Sequence, residues 1–84
     1  MFEIKFSNQA KKFLSRCEDE LFNRIKKKVN ALKINPLPSD AKRLKGYERP
    51  TFRIRVGKHR VLYEIRQIEN WIVVVKIDKR EKVY

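Results

Sequence analysis

Arg53, Arg55 and Arg60 are the residues of this chain whose type and spacing point most directly to chemistry. Arg53 and Arg55 alternate with Phe52, Ile54 and Val56, so a strand over Thr51–Val56 carries both guanidinium groups on one face. Gly57-Lys58 reads as a two-residue hairpin turn, with glycine in the first central position where a II′ turn needs positive φ. Closing that turn pairs Val56 with His59 and sets Arg55 directly across from Arg60. Like charges so placed destabilise a hairpin. The row makes sense if an anion visits it. Phosphate is the natural candidate, because the planar guanidinium fork matches its oxygens.

The 84-residue chain has 22 Lys+Arg against 10 Asp+Glu, a formal charge of +12. That excess favours nucleic acid, a ribonucleoprotein or an acidic protein as partner over an anionic membrane surface. A lysine-rich surface tuned for solubility or heat explains part of the charge, but not the arginine row. Hydrophobic residues at 42% support a folded core rather than disorder, and the length fits one small domain over residues 1–84. Cys17 is the one cysteine, so no intrachain disulfide is expected, and no His/Cys/Asp cluster stands at metal-ligand spacing. The N-terminus MFEIKF lacks a basic region followed by an apolar run, and the longest apolar run, Trp71–Val75, is too short to span a bilayer. A soluble, cytoplasmic protein is expected.

The elements that must position the arginines follow from periodicity. Residues 2–6 alternate apolar and polar and read as a strand, and Ser7 can cap the helix after it. Ala10, Phe13, Leu14, Cys17, Leu21, Phe22, Ile25, Val29 and Leu32 recur at helical steps, up to Ile34. Glu18-Asp19-Glu20 suits the start of a second helix, where the dipole favours negative charge, so the region is read as a hairpin folded near residues 17 to 19, with one continuous helix as the alternative. The proline-containing stretch Asn35–Asp40 is a loop, and Ala41–Arg49 a basic bridge bending at Gly46. Strands over Thr51–Val56, His59–Arg66 and Trp71–Ile77 complete a β-α-α-β-β-β order. The fold class is α+β: an N-terminal strand and helical hairpin packed on one face of a small, mainly antiparallel sheet, with the other face open and basic. His59 reads as a turn residue and Tyr63 as core. Glu64 and Glu81 are candidate partners for arginines, Glu81 being better read as a solvated charge.

With these elements in place, the chain resembles the RelE branch of the RelE/ParE toxin superfamily. The resemblance is carried by Leu44-Lys45-Gly46, then Arg53-Ile54-Arg55, then Arg60-Val61-Leu62-Tyr63, and Lys79-Arg80-Glu81 near the C-terminus. The N-terminal strand and helical hairpin match in layout. No single motif is specific; their order and spacing together are. The resemblance implies a RelE-like, microbial-ribonuclease-type fold and a metal-independent mRNA endonuclease acting in the ribosomal decoding site. In that chemistry a ribose 2′-hydroxyl attacks the adjacent phosphate, leaving a 2′,3′-cyclic phosphate and a 5′-hydroxyl. No cofactor is implied.

The same resemblance implies catalytic roles for Arg53, Arg55, Arg60, Arg80 and Tyr84. Arg60 and Arg80 would stabilise charge on the scissile phosphate, with Arg53 and Arg55 beside it and Tyr84 stacking on a base or moving a proton. Relatives often carry lysine at the two strand positions, and arginine there leaves electrostatics rather than base catalysis. Tyr84 stands two positions closer to Arg80 than in familiar members. Arg24, Lys26, Lys27, Lys28, Lys42, Arg43 and Lys45 would grip ribosomal RNA phosphates, giving affinity without sequence choice. The implied partners are a cognate RelB-like antitoxin, in a complex of higher oligomeric order, and the ribosome with its mRNA. Three rivals stand beside this reading: a ParE-like gyrase inhibitor, against which the arginine row and Arg80 argue, a non-catalytic nucleic-acid-binding module, and a degenerate toxin that keeps the fold without activity.

Overall fold

The computed structural model describes residues 1–79. Its order is β1 (Glu3–Phe6), α1 (Asn8–Arg16), α2 (Asp19–Ala31), β2 (Lys42–Leu44), β3 (Thr51–Val56), β4 (His59–Arg66) and β5 (Trp71–Lys79). The five strands form one sheet in the order β1-β5-β4-β3-β2; β1 runs parallel to β5 and the other pairs are antiparallel. Strand β2 is an addition to the expected order: its three residues lie in the stretch read from sequence as a bridge. It forms an edge, where a short, charged strand is protected against pairing with other chains.

The helical hairpin breaks where the acidic triplet implied. Ser7 caps α1, its Oγ accepting from the Ala10 N–H at 3.1 Å and donating to the Val75 carbonyl at 2.8 Å. Cys17 and Glu18 are extended residues between the helices, serving as C-cap and N-cap. Helix α2 stops at Ala31, three residues short of the expected end at Ile34. Leu32 prolongs the apolar period because it is still core, yet its N–H already bonds the Val29 carbonyl in a tightened turn. Ile34 is exposed.

Both helices cover one face of the sheet. Ala10, Ile25, Val29 and Leu32 from the hairpin meet Ile54, Val56, Val61, Tyr63, Ile72, Val74 and Ile77 from the strands, all buried. Alternation along each strand sends the intervening residues to the opposite face. Two side chains replace missing strand neighbours. Beyond the end of β1, Gln9 closes the edge of β5, donating through Nε2 to the Ile77 carbonyl at 2.8 Å and accepting from the Ile77 N–H at 2.9 Å. On the far edge, beyond the three paired residues of β2, Lys28 Nζ donates to the Arg55 carbonyl at 2.8 Å.

One irregularity governs the open face. Tyr63 pairs with Val74 but Leu62 pairs with Lys76, so Val75 is an extra residue in β5. This β-bulge shifts everything after it by one position relative to β4. Ile77 thereby reaches the core, while Lys76 and Asp78 turn to the face that carries the arginines.

Candidate active site on the open sheet face

The hairpin closes in the register that the sequence implied, with Val56 opposite His59 and Arg55 opposite Arg60. Gly57 has φ of +60°, and a Cβ there would meet Arg24 Nη1 at 3.3 Å. Glycine therefore serves both the turn and the close approach of that guanidinium. Cross-strand pairing arranges the open face in two adjacent rows. One runs Lys42, Arg53, Leu62, Lys76; the next runs Arg55, Arg60, Asp78. Four cations of β2, β3 and β4 thus crowd one patch. Burial first, and then the charges of Arg55 and Arg60, hold the Arg53 pKa below its usual value, with Asp40 pulling the other way. Charge crowding of this kind is relieved when an anion arrives.

Asp78 was missed from sequence. Its carboxylate receives the fork of Arg60, Nε to Oδ1 at 3.2 Å and Nη2 to Oδ2 at 3.2 Å, and Lys76 Nζ stands 3.7 Å away. Both members of the Arg60–Asp78 pair are about a quarter exposed. A straight register counted back from the β4–β5 turn would have set Ile77, not Asp78, across from Arg60. Only the bulge brings them together, and no glycine or proline near Val75 announces it.

A second network straps the proline loop behind the row. Lys28 Nζ bonds Asp40 Oδ2, also reaching the Arg55 carbonyl, and Tyr63 Oη donates to the Pro36 carbonyl at 2.6 Å. The hydrogen bond from Lys28 is the main cause that lowers the Asp40 pKa, with the charges of Lys28 and Arg53 adding to it. Burial, followed by the nearby Asp40 charge, pushes Tyr63 up to about 12. An unfolded tyrosine ionises near 10, so between these values the unfolded chain releases its proton first and stability falls as pH rises. Tyr63→Phe should flatten that alkaline slope: its stability deficit relative to the wild type shrinks from pH 9 towards pH 11.5. Denaturant melts at several alkaline pH values would show it, and an unchanged deficit would refute the assignment.

The remaining candidates divide. Arg24, Lys27 and Lys28 line a groove of about 560 Å³ between α2 and the edge of β3, together with Arg55, Val56 and Gly57. Lys26 is set apart, its Nζ lying 5.9 Å from the ring centroids of Phe6 and Phe22. Lys42 joins the arginine rows, whereas Arg43 pairs with Phe52 on the alternate side and Lys45 lies past the end of β2. His59 packs edge-to-face on Phe13 at 5.5 Å, as suits a turn residue, and Tyr63 is fully buried. Glu64 is bonded to Arg66, through Nε and Nη2 at 3.0 Å, rather than to the row. Arg80, Glu81 and Tyr84 lie outside the described residues. Among the described residues, no helix is long and apolar enough to cross a membrane.

Comparison with known proteins adds a family. A model described as the ParE toxin of type II toxin–antitoxin systems, parDE, matches residues 4–84. A protein of Methanocaldococcus jannaschii named RelE1 is 33% identical over 86 residues, which cover 99% of this chain and 94% of that one. A chain of the archaeal RelE–RelB complex from Pyrococcus horikoshii superposes with a TM-score of 0.86 at 23% identity, covering 98% of each chain. The isolated E. coli RelE toxin superposes with a TM-score of 0.84 at 19% identity, covering 99% of this chain and 88% of that one. At these identities the two structural likenesses speak for the fold.

Proposed function

Since this chain belongs to the RelE/ParE family of toxins of type II toxin–antitoxin systems and is RelE-like in type, we propose that it is a ribosome-dependent mRNA endonuclease. The observation that carries the reading is the pair of cationic rows on the open face, with Arg53, Arg55 and Arg60 together and Arg53 crowded by its neighbours. Attack of a 2′-oxygen on phosphorus builds negative charge on the phosphoryl oxygens. Fixed donors already aimed at that charge stabilise it without reorganising. Arg60 and Arg80 hold the scissile phosphate in this mechanism, Arg53 and Arg55 flank it, and Tyr84 stacks on a base or takes part in proton transfer. Products are a 2′,3′-cyclic phosphate and a 5′-hydroxyl.

Arg24, Lys27, Lys28, Lys42, Arg43 and Lys45 supply phosphate contacts to ribosomal RNA, and the groove between α2 and β3 gives the first three a common site with Arg55. Ribosome binding should then weaken steeply with salt, since each neutralised phosphate releases counterions. Ribosomes place the action in the cytoplasm. Solved RelE–RelB complexes name the kind of inhibitor, and a RelB-like, acidic, mostly helical antitoxin complements a chain of charge +12.

The test is a cell-free translation reaction in which 5′ ends are mapped on a reporter mRNA. Codon-phased cuts that require ribosomes support the reading. Intact messenger from a folded protein would refute it. One observation favours a second reading: the matching family model is itself described as ParE. A ParE-like inhibitor of gyrase would trap cleaved DNA in a supercoiling assay and leave mRNA whole.

A further inference from the structure

The proposed cleavage needs a group that accepts the proton of the ribose 2′-hydroxyl, and Arg53, Arg55 and Arg60 cannot supply one. A guanidinium in a protein keeps its proton. Among the described residues, three carboxylates stand near the rows: Asp40, Glu64 and Asp78. Asp40 is tied to Lys28 and the proline loop, and Glu64 to Arg66 in the next row of the sheet. Asp78 is in the Arg55–Arg60 row itself, bonded to Arg60 and a quarter exposed.

Resting on the ribonuclease reading, we infer that Asp78 is the general base of the reaction, a catalytic residue that takes the 2′-hydroxyl proton. The bond from the 2′-oxygen to phosphorus forms as that proton passes to a carboxylate oxygen of Asp78. The bond from phosphorus to the 5′-oxygen breaks, and the leaving oxygen takes a proton from water. The hydroxide so formed removes the proton from Asp78, which restores both the water and the carboxylate.

Charge movement explains why the base should sit on Arg60. Asp78 loses its negative charge at the stage when the phosphoryl oxygens gain theirs. Arg60, bonded to the carboxylate at the start, lies between it and Arg55, about 5 Å from each at ordinary strand spacing. Its cation thus has an anionic partner before, during and after the step. Lys76, 3.7 Å from the same carboxylate, is a second cation at the base. General base catalysis needs the base within hydrogen-bond reach of the proton it takes, and Asp78 stands in the row where the phosphate and its ribose would lie.

The test is single-turnover cleavage on programmed ribosomes by the wild type, Asp78→Asn and Asp78→Glu, each followed through the acid and neutral pH range. Asp78→Asn should be slower by about 10²–10⁴-fold at unchanged ribosome affinity and melting temperature. It should also lose the acid limb of the wild-type pH–rate profile, while Asp78→Glu keeps the limb and regains part of the rate. Asparagine can still accept a hydrogen bond from Arg60, so a residue that only aligns Arg60 predicts a fast Asn variant with the wild-type profile. That result overturns the inference, as does a slow Asn variant that keeps the acid limb. Asp78→Ala gives an independent reading should the Asn variant not fold: added formate restores cleavage in proportion to its concentration if a carboxylate base is missing, and failure to restore it counts against the role. A wild type that leaves mRNA intact sinks the ribonuclease reading and the inference together, and the wild-type reaction alone separates that case from the others.

Discussion

Arg60→Ala should reduce single-turnover mRNA cleavage by about 10²–10³-fold, the usual cost of removing one preorganised donor from developing oxyanion charge. The residue is central for a geometric reason. It faces Arg55 on one side and Asp78 on the other, the middle position of the row. Its truncation removes a guanidinium from the phosphate and the fork from Asp78 at once. The β4 backbone does not depend on that side chain, because its pairing to β3 and β5 is made by main-chain groups and its core contacts by Val61 and Tyr63. Circular dichroism should therefore be unchanged. Arg60→Lys restores charge without the planar fork and should recover only part of the rate. Groups that act as a unit are not additive, so combining Arg60→Ala with Asp78→Asn should cost little more than the worse single change. Cleavage by Arg60→Ala at the wild-type rate would remove the open face from the mechanism.

Ile54→Ala should be the most damaging single substitution for the platform beneath that face. Ile54 is fully buried between Arg53 and Arg55 in sequence, with its side chain against the helices. Leu- or Ile-to-Ala changes at such sites cost about 2–5 kcal/mol, through lost transfer energy and the cavity left behind. Small domains hold only about 5–15 kcal/mol in total, and a chain of 84 residues has little core to spare. The melting temperature should drop by roughly 10–30 °C. Ile68→Ala is the matched control, because Ile68 is 99% exposed and its loss should be close to neutral. Equal melting temperatures for the two variants would mean that β3 is not anchored by its inward residues. The functional corollary is that cleavage by Ile54→Ala should fail at temperatures where the wild type is fully active.

These two residues also mark how far the sequence could be read. Strict alternation over Thr51–Val56 and a glycine at a II′ turn position sufficed to fix the faces of β3 and the pairing of Arg55 with Arg60, because both signals are local. Ser7 and the acidic triplet at Glu18–Glu20 marked the helix boundaries for the same reason. Strand β2 was not legible: Lys42-Arg43-Leu44 has no apolar alternation of its own and is a strand only because β3 lies beside it. The Lys28–Asp40 bond joins residues twelve apart across a proline loop whose path nothing local dictates. Asp78 was hidden by a different cause. The run Trp71–Val75 is apolar at every position, so its faces cannot be told apart by hydrophobicity, and a change of phase inside it leaves no trace.

That change of phase makes the site depend on chain length as well as on composition. Deleting Val75 would keep every charged residue and every motif of this chain, yet slide Lys76, Ile77 and Asp78 back by one position. Ile77 would then stand across from Arg60 on the open face, and Asp78 would face His59 on the helix side. In this chain the acidic position opposite the arginine is therefore defined by counting from the bulge, and a variant one residue shorter in β5 can keep every charged side chain while changing which side of the sheet carries the carboxylate.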